Sequence, residues 1–505
     1  MHITMCCPKC GSSLKVSLKL AGKQGHCPKC QTTLRVPSIQ DRPGLAQGQV
    51  QNPAPASNVT GIPQATYVRD SDPTLSNQSA LEDSAKWHCL ASDAFVGEIK
   101  PSRKSKVYLL AVLIVTMFMI LLPLAYLAFI VAIGFLTYYH AINDTGMLAY
   151  GSGRGKVLVL GAYLAPIVSG VILVLFMIKP LFARPLHHVR IRSLTPQGEP
   201  NIFAVVKRLC ELIGAPQPRQ IAVDYQFNAS ASFRRGFRSM LGSDLVLTIG
   251  VPLAAVLSIQ QFVGILAHEF GHFSQGTGMR LSYIIRSINA WFARVVYERD
   301  AWDEWLANTA SNVDFRIGWV LVLSMVFVWM SRRILWVLMM LGHAVSGFLL
   351  RQMEYDADRY EARVVGSKTF ESTAIRLQIF QMSYQMAQMK LLQFLRKGVY
   401  PDDLSRLMEI LHGRLSPEVL QKIESAMEQA KTGYFDTHPS DKDRIANVQR
   451  EETPGVFQAD GLARMLFCHF DAIARNVTWD LHCRLAGPRI KPSDVKPVEK
   501  LLDQF

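Results

Sequence analysis

Charge is scarce in this 505-residue chain: Asp, Glu, Lys and Arg make up 19% of it, against an apolar content of 49%. The deficit is concentrated. Val107 to Tyr139 and Val157 to Ile178 contain none of the four charged residue types. The second run matches the length of a bilayer-spanning helix, and the first exceeds it at about 1.5 Å per residue. It is therefore expected to tilt or to extend past the bilayer, with Pro123 as a site for a kink. Apolar sequence is also missing near Met1, where residues 1–100 are polar, so no secretory signal is expected. The net charge of +14 invites a nucleic-acid reading, but basic residues flank the apolar runs instead. Lys100, Arg103, Lys104 and Lys106 precede the first run, and Lys179, Arg184, Arg190 and Arg192 follow the second. Between them stand only Arg154 and Lys156 against Asp144. The positive-inside rule puts both outer flanks in the cytoplasm, which makes a multi-pass inner-membrane protein the expectation and a nucleic-acid partner unnecessary.

Cysteine is scarce as well, nine in all, yet four fall in two matched knuckles, Cys7-Pro-Lys-Cys10 and Cys27-Pro-Lys-Cys30, sixteen residues apart. This spacing points to a four-thiolate structural zinc site rather than a redox dithiol, with Cys6 able to stand in for Cys7. So short a module buries little apolar surface, and the metal would supply much of its folding free energy. Residues 1–38 resemble the zinc-ribbon heads of bacterial regulatory and membrane proteins, which implies a docking element of unknown partner. The ribbon carries lysines but no aromatic stacking platform for single-stranded nucleic acid. Residues 39–100, rich in Gln, Ser, Pro, Asn and Asp, read as a flexible linker.

The chemistry is concentrated in His268-Glu269-Phe270-Gly271-His272. Histidines four apart share a helical face and can reach one metal ion, and the glutamate beside the first can act as general base toward a water molecule. The preceding run from Gln260 to Ala267 is largely apolar, as a buried helix requires. A catalytic zinc site takes a third protein ligand. Glu354 is the candidate, and Asp358, four residues on, can accept a hydrogen bond from the other nitrogen of a ligand histidine. His187, His188 and His343 are read as non-ligands.

These motifs resemble the membrane gluzincins that comprise the HtpX heat-shock proteases and the type-I CAAX prenyl proteases. In that family an H-E-x-x-H helix is followed, after membrane segments, by an E-x-x-x-D helix, here with Ala357 before the aspartate. A third signature is Thr437-His438-Pro439 followed by Arg444-Ile445. The resemblance spans about residues 105 to 450. It implies that His438 lies near the metal, either stabilising the oxyanion or acting as a removable fourth ligand, that Arg444 braces the site or contacts substrate, and that Asn228-Ala229 is a substrate-binding element. A strand over Asp244 to Ile249, buried or at an edge, is expected to pair with extended substrate by analogy with related proteases.

One topological constraint follows. Ile317 to Leu350 is apolar except at Ser331-Arg332-Arg333. A single crossing there would carry Glu354 away from the histidines, so a hairpin that crosses twice or re-enters is expected, for four membrane segments in all. Met382, Met386 and Met389 form a helical stripe expected in the core, and residues 451–505 are expected to wrap the catalytic domain or form a lid.

The fold class is thus mainly α: an integral membrane gluzincin with a small β-containing catalytic subdomain and an N-terminal zinc ribbon. Its parts are the ribbon (1–38), linker (39–100), two transmembrane helices (101–180), first catalytic half (181–316), hairpin (317–350) and second catalytic half (351–505). The expected function is zinc-dependent hydrolysis of membrane or misfolded polypeptides. The alternative is a catalytically silent membrane scaffold working through its ribbon. With one catalytic and one structural site, purified protein should hold two zinc ions per chain, and Cys27→Ser one. Equal metal content in both would remove the structural site.

Overall fold

A computed structural model describes residues 94–99, 106–150, 152–182, 191–234, 244–274, 277–298, 315–487 and 490–504, with the backbone of four strands near the N-terminus. Those strands form two antiparallel pairs, β1 (His2–Cys6) with β2 (Ser13–Ser17) and β3 (Gln24–His26) with β4 (Thr33–Arg35). One cysteine knuckle falls in sequence between the strands of each pair. Cys7, Cys10, Cys27 and Cys30 themselves lie outside the described residues, as do His187 and His188.

The two uncharged runs form α1 (Lys106–Asn143) and α2 (Arg154–Ile178), antiparallel neighbours whose surfaces are mostly exposed and apolar. Pro123 does not interrupt α1. The α/β body then opens with β5 (Arg192–Ser193), α3 (Pro200–Ile213), β6 (Gln220–Asp224), β7 (Ala229–Phe233), β8 (Leu245–Gly250), α4 (Val251–Val256) and α5 (Ile259–Gly271). Its four strands lie in the order β5-β6-β8-β7, with β6 and β8 parallel and the outer pairings antiparallel. The Asp244–Ile249 stretch, expected to pair with substrate, is therefore an inner strand with both sides occupied. The edge strand beside it is β7, which begins at Ala229, and the two-residue β5 is the other edge. An inner strand buried on both faces and a short edge strand both read as brief apolar runs, so composition does not separate them.

After α5 the chain runs out along α6 (Thr277–Tyr297) and returns along α7 (Phe315–Val365), one continuous helix of 51 residues. The expected hairpin within 317–350 is absent. Ser331-Arg332-Arg333 interrupts hydropathy, but it contains no glycine or proline to break the backbone. Arg332 instead donates to the Glu298 carbonyl, and the Arg333 guanidinium lies 5.3 Å from the Trp329 ring centre. The constraint behind that expectation is met by α6. Arg286 touches Glu354, Asn289 bonds Ser346 and Arg332 bonds Glu298, so α6 and α7 are antiparallel and bring Glu354 back to the histidines. Helices α1, α2, α6 and α7 share one apolar core around Met119, Tyr126, Met177, Phe292 and Met339. Among the described residues three helices are long and apolar enough to cross a membrane, Lys106–Ala149, Arg154–Phe182 and Met325–Val365. The fourth bundle member, α6, carries Arg280, Arg286 and Arg294 and is not among them.

The rest is helical: α8 (Ser367–Arg396), α9 (Leu404–His412), α10 (Pro417–Gln429), α11 (Asp441–Gln449), α12 (Phe470–Ala486) and α13 (Val498–Gln504), with β9 (Tyr400–Pro401) and β10 (Val495–Lys496) paired in parallel. The buried face of α8 carries Phe380, Tyr384, Ala387, Leu391 and Phe394. Met382 and Met389 are exposed and Met386 only partly buried, because their stripe lies two residues out of phase with that face. Residues after 451 are core components, with Leu466, Phe467, Val477 and Leu501 packed against α3 to α5 residues.

A strap ahead of α1 completes this core. Val96 donates to Val456 O, Gln458 donates to Ala94 O, and Phe95 packs on Phe457 with ring centres 4.5 Å apart. Phe95→Ala is expected to cost about 3–5 kcal/mol, read as a lowered thermal midpoint of the α/β body. An unchanged midpoint would mean that the strap is not part of the core.

Candidate active site

Helix α5 starts at a capping box in which Ser258 Oγ accepts from the Gln261 amide and the Gln261 side chain accepts from the Ser258 amide. The helix carries His268 and His272 on its last turn. Helix α7 passes it at close range because the contact face is built from small residues. A methyl group on Gly271 would stand 3.1 Å from Tyr360 Cβ and 3.3 Å from Ala357 Cα, and one on Gly264 would stand 2.9 Å from Val365 Cγ2. This approach brings Glu354 between the imidazoles. His268 Nε2 lies 3.6 Å from Glu354 Oε2, and His272 Nε2 lies 3.7 Å from Glu354 Oε1. All three side chains are buried, and one donor atom from each lies within 4.8 Å of the others. Tetrahedral zinc with bonds of about 2.0–2.1 Å separates its ligand atoms by about 3.3–3.4 Å. Two imidazoles and a carboxylate at these spacings fit that ion with a small contraction.

The opposite ring nitrogen of His268 faces acid. Asp358, with no exposed surface, places Oδ1 3.0 Å from His268 Nδ1, and Glu361 Oε2 lies 3.8 Å away. Arg444, near the start of α11, grips Asp358 with both arms, Nε to Oδ2 at 3.0 Å and Nη2 to Oδ1 at 2.6 Å. Asp358 thereby holds the ring with Nε2 toward Glu354. Burial lowers the proton affinity of His268, but Asp358 and Glu354 outweigh it and raise its pKa to about 10 in the metal-free protein. Burial, with Arg286 nearby, holds His272 well below the usual imidazole range. Metal entry would therefore displace a proton mainly from His268.

Glu269 points toward the edge strand, where its Oε2 accepts from the Ala231 amide at 3.2 Å. Burial raises its carboxyl pKa above the ordinary value, against the pull of His268. The Ala231 amide of β7 thus faces Glu269. Asn228 and Ala229 stand at the start of this strand and line a hollow of about 180 Å³ with Phe227 and Ile265. Asn228 O is also anchored by the Gly250 amide at 2.7 Å. Arg234, from the basic stretch after Ala229, is tied to Asp244 at 3.0 Å.

His438 approaches from the loop before α11, largely exposed, with Nδ1 3.2 Å from Glu354 Oε2. Arg286 was not anticipated from the sequence. Its Nη2 donates to Glu354 Oε1 at 2.7 Å and lies 3.4 Å from His272 Nδ1. The signal was present in Ser282, Arg286 and Asn289, a polar stripe at helical spacing on a helix whose neighbours Ile285 and Phe292 are buried. Arg286, Asn289, His343, Leu350, Glu354 and His438 line a cavity of about 370 Å³ beside the metal position. His343 is a wall of that cavity and belongs to no cluster of metal-ligand type among the described residues.

Asp358→Asn keeps the shape and removes the charge on His268, and should weaken zinc binding about 10–100-fold in a chelator competition. Unaltered affinity would limit Asp358 to a packing role.

The sequence profile described as Peptidase family M48 matches residues 196–452. Among curated proteins, the chain is similar to a Protease HtpX of Acinetobacter baylyi, 26% identical over 267 residues, or 51% of this chain and 73% of that protein. It is also similar to a Protease HtpX of Acinetobacter baumannii, 25% identical over 264 residues with the same shares covered. No solved structure matches the chain.

Proposed function

Because the chain belongs to peptidase family M48, and is on that ground a protease, we propose that it is a zinc-dependent endopeptidase acting on polypeptides at a membrane surface. The observation that carries this reading is the convergence of His268, His272 and Glu354 beside Glu269 and the edge strand β7.

In this reading His268, His272 and Glu354 hold zinc, which when bound supplies Lewis acidity to acidify a water molecule and polarise the scissile carbonyl. The chain's own residues do the remainder. Extended substrate pairs with the outer edge of β7, so main-chain hydrogen bonds supply affinity with little sequence selectivity. Asn228 and Ala229 receive the substrate at the start of that strand. Glu269 takes the proton from water at its carboxylate and passes it to the leaving amine nitrogen. The pKa of this carboxyl, raised by burial, suits a group that must accept and then return a proton. His438 and Arg286, both beside Glu354, offer N–H donors to the oxygen of the carbonyl under attack. Arg444 and Asp358 keep the His268 ring from rotating.

Membrane or misfolded proteins are the proposed substrates, because Leu350 of the apolar stretch and Glu354 line the same cavity one helical turn apart. The flanking charges support an inner-membrane location with the catalytic body and N-terminus in the cytoplasm. The proposed ribbon, with its own zinc ion held by Cys7, Cys10, Cys27 and Cys30, would dock a partner still to be identified.

Glu269→Gln should retain zinc and lose at least about 100-fold in cleavage of an unfolded, membrane-tethered reporter. Equal cleavage by both proteins would reject Glu269 as the base. Failure of wild-type protein to cleave while loaded with zinc would favour a silent scaffold.

A further inference from the structure

Residues 334–350 of α7 contain no Asp, Glu, Lys or Arg and are bounded by Arg332 and Arg333 at one end and Arg351 at the other. These seventeen residues extend about 25 Å as a helix, close to the hydrocarbon thickness of about 30 Å. Val337, Leu341, Val345 and Phe348 form an exposed apolar stripe along them. On α1, Met119 and Leu122 pack at Gly342, and exposed Ile114, Met117 and Leu121 extend the apolar surface at that level. At the far end, Trp329 and Arg333 pair aromatic ring with guanidinium.

The near end has the same composition, contributed by a different part of the chain. Tyr434 and Phe435, 69% and 49% exposed, stand edge to face with ring centres 5.1 Å apart. Their loop is tied to α7 by Arg351, whose Nη1 donates to Asp436 O at 2.8 Å and to Tyr434 O at 3.3 Å. Phe348, 68% exposed, Arg351 and Tyr434 line one hollow. Aromatic rings and arginines at the end of a hydrocarbon-length apolar segment are the chemistry of a lipid headgroup boundary.

We propose that Tyr434 and Phe435, with Phe348 and Arg351, are an interfacial lipid anchor that sets the height of the His438 loop at the membrane surface. The inference rests on reading α7 as membrane-spanning and goes beyond the protease assignment. Glu354 lies three residues past Arg351, about 4.5 Å along the helix, and His438 lies three residues past Phe435. The anchor therefore seats both in the headgroup layer, where a peptide leaving the bilayer becomes extended and accessible.

The test uses full-length protein in phosphatidylcholine–phosphatidylglycerol vesicles, with the photoreactive residue p-benzoylphenylalanine placed at Phe435, Met117 or Met465. Met117 faces outward on α1, and Met465 is exposed near the Ser258 end of α5, the end opposite His272. Lipid adducts at positions 435 and 117 but not 465 are the expected result. Adducts at 117 without any at 435 would overturn the anchor while leaving the membrane reading intact. No adduct at 117 would remove the membrane reading, and the anchor with it. In a second arm, the double variant Tyr434→Ser, Phe435→Ser should cleave a membrane-tethered substrate several-fold more slowly and a soluble peptide at the wild-type rate. Equal loss on both substrates would assign the aromatic pair to peptide binding and overturn the lipid role. Should wild-type protein cleave neither substrate, the adduct pattern alone decides.

Discussion

Burial of like charges on one helix governs this structure. Glu354, Asp356, Asp358 and Glu361 are each 5% exposed or less, along two turns of a helix that is otherwise largely apolar. Isolated carboxylates in such a place would cost several kcal/mol each, so the fold must bring cations to them. Arg444 and His268 serve Asp358, Arg359 serves Asp356, and Arg286 serves Glu354, beside which His272 and His438 also lie. These partners come from α5, α6, α7 and α11 with its preceding loop. Compensating one acidic stripe therefore fixes the mutual register of four elements. A metal ion between His268, His272 and Glu354 would add two further positive charges where the acidic cluster is densest.

The close approach of α5 and α7 is the steric counterpart of this electrostatic demand. Gly264, Gly271 and Ala357 remove side-chain bulk along the contact, so carboxylates on one helix reach imidazoles on the other. The glycine inside the histidine motif is therefore part of the helix packing, apart from any chemistry. It leaves Glu269 free to turn the other way, toward the Ala231 amide of the edge strand.

Fold and chemistry also share a path through the chain. Helix α6 leads away from His272 and α7 returns to Glu354, so the apolar bundle is the connection between candidate ligands of a single ion. The distance between the bundle and the site is accordingly short and set by covalent structure. Leu350 belongs to the bundle core and Glu354 to the site, with one helical turn between them.

Much of this was legible in the sequence. The spacing of His268 and His272, the E-x-x-x-D pattern of Glu354 and Asp358, and the uncharged runs of α1 and α2 are local periodicities. A helix converts such periodicities directly into shared faces and lengths. The continuity of α7 through Ser331-Arg332-Arg333 was not legible, because hydropathy reports where a segment sits and not whether its backbone turns. Neither was the inner position of β8, since strand order depends on pairing partners distant in sequence. The place of Arg286 against Glu354, and of Arg444 around Asp358, arises from compensation of buried charge across elements, and that is settled only when they pack. The sequence alone determined which residues could share a metal ion and which segments are apolar. Tertiary structure decided which strand lies at the sheet edge beside Glu269, which cation meets which carboxylate, and how the chain returns from His272 to Glu354, because these depend on through-space neighbours rather than on spacing along the chain.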